Sequence, residues 1–345
     1  MKILFMTAAI AAMTLFASCS KDSAMSDSIT QPMQGSVVSI SFAEEAQTRA
    51  FFDDSAASET WEAAIKSATI FAFDPDSDAL IVRRDFNTSE LDGLDSETTF
   101  ALPGVVAGDE VDIFVIANCD IDASVVTGDK LKAVINSNLS KYNGTFEDMN
   151  NPNTYDKGFV MASSNEVTIE EGTTKITAQL ERTVAKVAIQ MTLADGFSDR
   201  YSGDVKINSI SVSNTPSTTT LHSSFPFATA PEKDFTFSQD ANISEEIFQN
   251  LFYIYESETP ENDTDKVLLT IAATYDMDGD FTTESDQTPI EYTLNIEDDN
   301  ITKIDRNSYY RISGSINGLN GADASIKIEV SDWTLVDKKE VGLGN

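Results

Sequence analysis

The chain has 345 residues, long enough for two domains of ordinary size, and 41% of them are hydrophobic against 23% charged, so a core can be buried. Its 57 acidic and 23 basic side chains leave a formal charge of −34. That charge repels nucleic acid and anionic lipid headgroups, so neither is expected as a partner, and its spread along the whole chain reads as a solvated exterior.

The chain opens "MKILFMTAAIAAMTLFASCSKD": Lys2, an apolar run over 3–17, then small residues before Cys19. This pattern predicts an export signal over 1–19, too short to span a membrane. Its ending, "LFASC", resembles a bacterial lipobox, which implies acylation of Cys19 and attachment to a membrane surface without crossing it. A plain cleaved signal with a chance cysteine is the alternative. The only other cysteine is Cys119, read as a small residue at a strand end. With Cys19 lipidated no disulfide can form, so stability must come from the core.

"SKDSAMSDSITQPMQG" reads as a flexible tether. After it, "GSVVSISFA" alternates: Val38, Ile40 and Phe42 point to one side of a predicted strand, Ser39 and Ser41 outward to the other. Arg49 follows, the only basic residue between Lys21 and Lys66. Beyond it a dozen short β-branched or aromatic stretches, from "SATIFAFD" to "ASIKIEVSDWTLV", are separated by turn signals such as "LPG", "AGDE" and "SNTPST". They predict an all-β protein of tandem β-sandwiches, with few short helices, one in "ETWEAAIK" and one in "TGDKLKAVINSNLS". The expected organisation is a signal at 1–19, a tether and first strand at 20–49, sandwiches at 50–182 and 183–333, and a tail at 334–345.

Motifs for chemistry are absent: no G-x-S-x-G, H-E-x-x-H, P-loop or C-x-x-C occurs, and the one histidine, His222, has no catalytic context. No enzyme activity, catalytic residue, cofactor or metal is expected. Two aspartate clusters bear on calcium. "DPDSDALIVRRD" has Ala79 where a calcium loop needs glycine, and "DMDGD" has its glycine at the wrong offset, so both read as hairpin turns.

Seven segments then converge: "LPGVVAGDEVDIFVIANCD", "KGFVMASS", "ITAQLERTVAKVAIQ", "INSISVSNTPSTTTL", "LFYIYES", "DRNSYYRISGSI" and "IEVSDWTLVD". In their order and spacing the chain resembles the fimbrillins, subunits of the type V pili of Bacteroidales. The resemblance implies two transthyretin-like β-sandwich domains and a path from outer-membrane lipoprotein precursor to extracellular fimbrium. It further implies that a trypsin-like surface protease cuts between Arg49 and Ala50, removing the lipid with the strand of Val38, Ile40 and Phe42. The groove so opened would accept a C-terminal strand from another pilin subunit. In the tail "TLVDKKEVGLGN", Leu335, Val341 and Leu343 share the parity of Trp333 and are the candidate knobs of that donor strand, interrupted by charges at 337–340. A frayed polar terminus is the alternative for this stretch.

A stalk subunit that also contributes to adhesion is therefore expected. A tip subunit or adhesin of the same pilus accepts a strand without donating one and is the second reading. An anchor, which keeps its lipid uncut, is opposed by Arg49. A glycan-binding surface lipoprotein has only Trp61 and Trp333 to stack on sugars. A host ligand is not identifiable from the residues.

Overall fold

The computed structural model describes residues 36–42, 62–87, 97–143, 158–227, 232–244, 247–297, 300–320 and 324–332. In chain order the strands are Ser36–Phe42 (β1), Ser67–Phe73 (β2), Leu80–Asn87 (β3), Glu97–Leu102 (β4), Glu110–Ala117 (β5), Ile135–Asn136 (β6), Met161–Thr168 (β7), Thr173–Ala178 (β8) and Glu181–Arg182 (β9). They continue as Val184–Leu193 (β10), Asp204–Pro216 (β11), Thr219–Thr220 (β12), Glu232–Asn242 (β13), Phe248–Tyr255 (β14), Leu268–Asp276 (β15), Gln287–Asn295 (β16), Ser308–Ile316 (β17) and Ala324–Asp332 (β18). Among the described residues helices are confined to single turns, Gly128–Lys132 (α1), Leu139–Tyr142 (α2) and Phe197–Arg200 (α3), with 3₁₀ turns at Asp263–Asp265 and Glu284–Asp286. The all-β sandwich expected from the alternating stretches is the fold.

Four main sheets carry it, in the orders β4-β1-β8, β3-β2-β5-β7-β9, β14-β10-β17-β18 and β13-β11-β15-β16. Strands with strict alternation face one core. Along β8, Thr174, Ile176 and Ala178 are buried and their neighbours exposed; along β15, Leu269, Ile271, Ala273 and Tyr275 are buried. Strands with continuous apolar runs face two. In β10, Val184 and Ala188 join a core with Val38, Ile40, Ile70, Ile113 and Ile176, while Ala185, Val187, Ile189 and Met191 join a second with Ile210, Ile271 and Tyr292. In β14, Leu251, Tyr253 and Tyr255 enter the first core and Phe252 and Ile254 the second. One sheet therefore serves as a wall common to both cores.

The outer face of β2 and β5 is also covered. Phe71, Phe73, Phe114 and Ile116 pack against Leu131, Leu221 and Phe225, with Phe114 and Phe225 ring centroids 5.5 Å apart. The helix expected over 127–140 is correspondingly broken. Thr127 caps α1, but Ile135–Asn136 leaves the helix to pair with Thr219–Thr220. The buried Asn136 amide donates to Thr183 Oγ1 (2.9 Å) and Tyr142 Oη (3.2 Å), a pair of bonds that offsets the cost of burying it. The other expected helix does not run through its described part: Glu62 lies in a 3₁₀ turn and residues 63–66 are irregular.

Glu62 explains that second departure. It is fully buried, and its Oε1 lies 2.7 Å from Lys186 Nζ and accepts the Tyr253 hydroxyl at 2.6 Å. Its carbonyl accepts Arg182 Nε at 2.8 Å. Arg182 and Lys186 are also buried, and Arg182 reaches Asn307 Oδ1 through Nη1 at 3.2 Å. A buried carboxylate is tolerated only with such partners, and removing one of them strands the other. Lys186→Met should therefore lower stability by about 3–5 kcal/mol, read as a shift in the urea unfolding midpoint, and adding Glu62→Gln to it should recover part of the loss.

Candidate functional site

The strand predicted to be removable lies in the middle of its sheet. β1 runs antiparallel to β4, from Ser36 opposite Leu102 to Ser41 opposite Glu97, and parallel to β8, from Val37 beside Thr173 to Phe42 beside Ala178. Val38 and Ile40 are each 0% exposed and fill the first core between the two sheets. Burying the two is worth roughly 3–6 kcal/mol. Ser36 fastens the start of the strand, its amide and hydroxyl both donating to the Val105 carbonyl at 3.2 and 3.1 Å. One detail differs from the alternation expected of the serines: Ser39 is 3% exposed, so the second face of β1 is covered at this point too.

Without β1, β4 and β8 would be separate strands, each presenting a ladder edge to the gap, above a floor that includes Ile70, Ala72, Ile113 and Val115. The chain that resumes after β1 is held by groups that do not belong to β1. The first described residue after the 43–61 stretch is Glu62, held by Lys186, Arg182 and Tyr253. Asn143 adds a second tie, with Nδ2 donating to the Tyr253 carbonyl and Oδ1 accepting the Tyr253 amide, both at 2.8 Å.

At the other end of the chain β18 is an edge strand, paired antiparallel with β17 from Ala324 opposite Ile316 to Asp332 opposite Ser308. The candidate donor residues Leu335, Val341 and Leu343 lie beyond it, outside the described residues, as do Cys19, Arg49 and Ala50.

The side chains that could have suggested chemistry have other roles. Burial, with the adjacent Asp120 charge, pushes the Cys119 thiol up to about 11, which keeps it protonated and unreactive. Burial also lowers the His222 pKa, and its Nδ1 faces the Ser224 hydroxyl (2.8 Å) and accepts the Ser224 amide (3.1 Å) in a local turn. Asp74 accepts the Ser77 and Asp76 amides at 2.7 and 3.1 Å, and these bonds, the Ser77 amide first, hold its pKa low; it caps its own turn. The turn at 276–280 is different, because its first carboxylate, Asp276, is 0% exposed. No sequence signal marked that burial.

A profile of the fimbrillin-A associated anchor proteins Mfa1 and Mfa2 matches residues 38–339, nearly the whole chain. The chain belongs to this family. As a member it is a fimbrial protein of the cell surface, and the resemblance read from seven short segments holds. By sequence alone no curated protein is a significant match. By structure, the fimbrillin chain resembles fimbrilin FimA of Porphyromonas gingivalis W83 at a TM-score of 0.57 and 14% identity, over 88% of this chain and 99% of that one. It also resembles the C-terminally truncated tip fimbrial protein Mfa3 of P. gingivalis (TM-score 0.55, 14% identity, 86% and 99% covered). A protein assigned to cell adhesion from Parabacteroides distasonis is similar to the same degree (0.57, 16%, 89% and 99%). At these identities the likeness is one of fold.

Truncating a knob should loosen the slot without disturbing the second sandwich. Ile40→Ala removes buried volume worth about 2–5 kcal/mol. Hydrogen exchange measured by mass spectrometry should accelerate in β1, β4 and β8 and stay unchanged in β11 and β15.

Proposed function

We propose that this fimbrillin is a pilus subunit of the stalk, contributing to adhesion, that polymerises by exchanging its own first strand for the tail of another subunit. In this reading the precursor is exported as a lipoprotein acylated at Cys19 and held at the outer membrane. A trypsin-like surface protease cuts between Arg49 and Ala50. The fragment carrying the lipid and β1 leaves, and residues 334–345 of a neighbouring subunit enter between β4 and β8, with Leu335, Val341 and Leu343 as knobs. The observation that carries this is the position of β1: a central strand, buried through Val38 and Ile40, that precedes every other described strand in the chain. Strand addition to open ladder edges is a known recognition mode, and pilin complementation is among its examples.

The charge balance is compatible with such a cut. Residues 1–49 hold 3 basic and 4 acidic side chains, so the formal charge changes only from −34 to −33. Cleavage would act through the strand and the lipid lost. A tip subunit is the second reading, favoured by the charged interruption at Asp337, Lys338, Lys339 and Glu340. An anchor would keep its lipid and remain uncut, which Arg49 disfavours.

Limited trypsin treatment of the purified precursor, followed by N-terminal sequencing and electron microscopy, tests the proposal. The expected result is a new terminus at Ala50 and fibres. Arg49→Ala should stay an intact monomer, and fibres from that variant would sink the mechanism. Deleting residues 334–345 should leave a processed monomer; undiminished polymerisation would refute the donor assignment. A terminus at Ala50 with no polymer would move the protein to the tip.

A further inference from the structure

The loop between β15 and β16 holds a carboxylate in an unusual position. Asp276, the last residue of β15, is 0% exposed. Its Oδ1 accepts the Gly279 amide at 2.8 Å, but its buried Oδ2 has no donor. Among the described residues no lysine, arginine or histidine pairs with it. Lys206, which stands 4.7 Å from the Phe281 ring in the same loop, is turned to Asp240 at 3.2 Å. A fully buried carboxylate without a counter-charge is among the costliest things a fold can hold.

What Asp276 faces instead is more negative charge. One oxygen each from Asp276, Asp278 and Asp280 lies within 4.8 Å of the other two. Asp286, whose carbonyl accepts the Met277 amide at 3.3 Å, contributes another buried oxygen, Oδ1, that also lacks a donor. The loop is pressed tightly into place: a Cβ on Gly203 would fall 1.7 Å from the Asp276 carbonyl oxygen. A set of converging oxygens without nitrogen or sulfur suits a hard cation.

We propose that Asp276, Asp278 and Asp280 bind a calcium-sized divalent cation, with Asp286 at its border. Both turns cap themselves: Asp74 Oδ1 accepts the Asp76 and Ser77 amides, and Asp276, Asp278 and Asp280 accept the Gly279, Asp280 and Thr282 amides; what separates the second is that Asp276 is fully buried with an oxygen, Oδ2, left without a donor. The stretch is the hairpin connection expected from sequence, joining antiparallel β15 and β16. The expected glycine after the third aspartate is replaced by Phe281, yet its φ is +54°, the left-handed conformation a glycine would supply there. A bound divalent cation would offset most of the cluster's negative charge and fasten the β15–β16 connection to the start of β11.

Calorimetric titration of chelator-stripped full-length protein with CaCl2, and separately MgCl2, in 150 mM NaCl tests this. One calcium per chain should bind with a Kd of about 10⁻³ M or tighter, and raise the melting temperature. Asp278→Asn and Asp280→Asn change exposed side chains, so both should fold. Each should weaken calcium binding at least about tenfold while leaving the metal-free melting temperature equal or higher, since like charges are relieved. Absence of a saturable site up to about 10 mM calcium, well above the affinities of extracellular calcium modules, would overturn the proposal. So would binding that both variants retain, which would make it diffuse attraction to an acidic surface. Magnesium binding as tight as calcium would overturn the calcium-sized assignment.

Discussion

The first sandwich keeps its shape through a carboxylate that has no access to water. Glu62 joins the chain just before β2 to the ammonium of Lys186 on β10 and the hydroxyl of Tyr253 on β14, and its carbonyl takes the Arg182 guanidinium. Ion pairs of this kind add little net stability over an apolar cluster, because desolvating both charges costs about as much as their attraction returns. What they supply is uniqueness of position. Only one arrangement satisfies Glu62, Arg182 and Lys186 together, so the chain on the far side of the 43–61 stretch is fixed without help from β1. Among the described residues both walls of the slot, β4 and β8, pair only with β1, so a strand that replaces β1 must remake both ladders.

The strand order shows how unusual β1 is. In the first sandwich β1 sits between β4, antiparallel, and β8, parallel; in the second β10 sits between β14, antiparallel, and β17, parallel. The facing sheets match as well, β3-β2-β5-β7 against β13-β11-β15-β16, with every pair antiparallel. β1 and β10 therefore hold the same place in the same topology. β10 is buried on both faces and continues at its N-terminal end into Thr183 and Arg182, which are themselves anchored. β1 has the same ladders, and its start is fastened through Ser36 to the Val105 carbonyl. The second sandwich also carries β18 beside β17, while among the described residues β8 has no strand on its far side.

Much of this was legible beforehand. Alternation of Val38 and Ile40, and of Leu269, Ile271 and Ala273, follows directly from the period of a strand with one buried face. The continuous runs of β10 and β14 read as strands but did not reveal that they served two cores, because periodicity cannot say what lies on a second face. β4 and β13 were missed: "ETTFAL" runs straight into the turn signal "LPG", and "EKDFTFSQDAN" is polar between its two phenylalanines. Glu62 was read as part of a helix because one buried acid looks no different from 56 others in the sequence. Asp276 was hidden in the same way. Burial of a charge is decided by long-range partners, and no local pattern encodes them.

The geometry of the slot bears on what can occupy it. A linked strand competes at an effective concentration in the millimolar range, whereas a severed one is held only by its contacts and can be displaced once it leaves. Cutting the chain before Glu62 would thus leave every contact of β1 intact and change only its power to return. The occupant's direction is not fixed by the ladders. β4 and β8 run in opposite directions, so a strand entering either way meets one antiparallel and one parallel neighbour, with the same number of partners as β1. Alternation also survives reversal, since every second residue still points into the core. Direction must then be chosen by the sizes of the pockets that Val38 and Ile40 fill and by where the incoming chain is tethered.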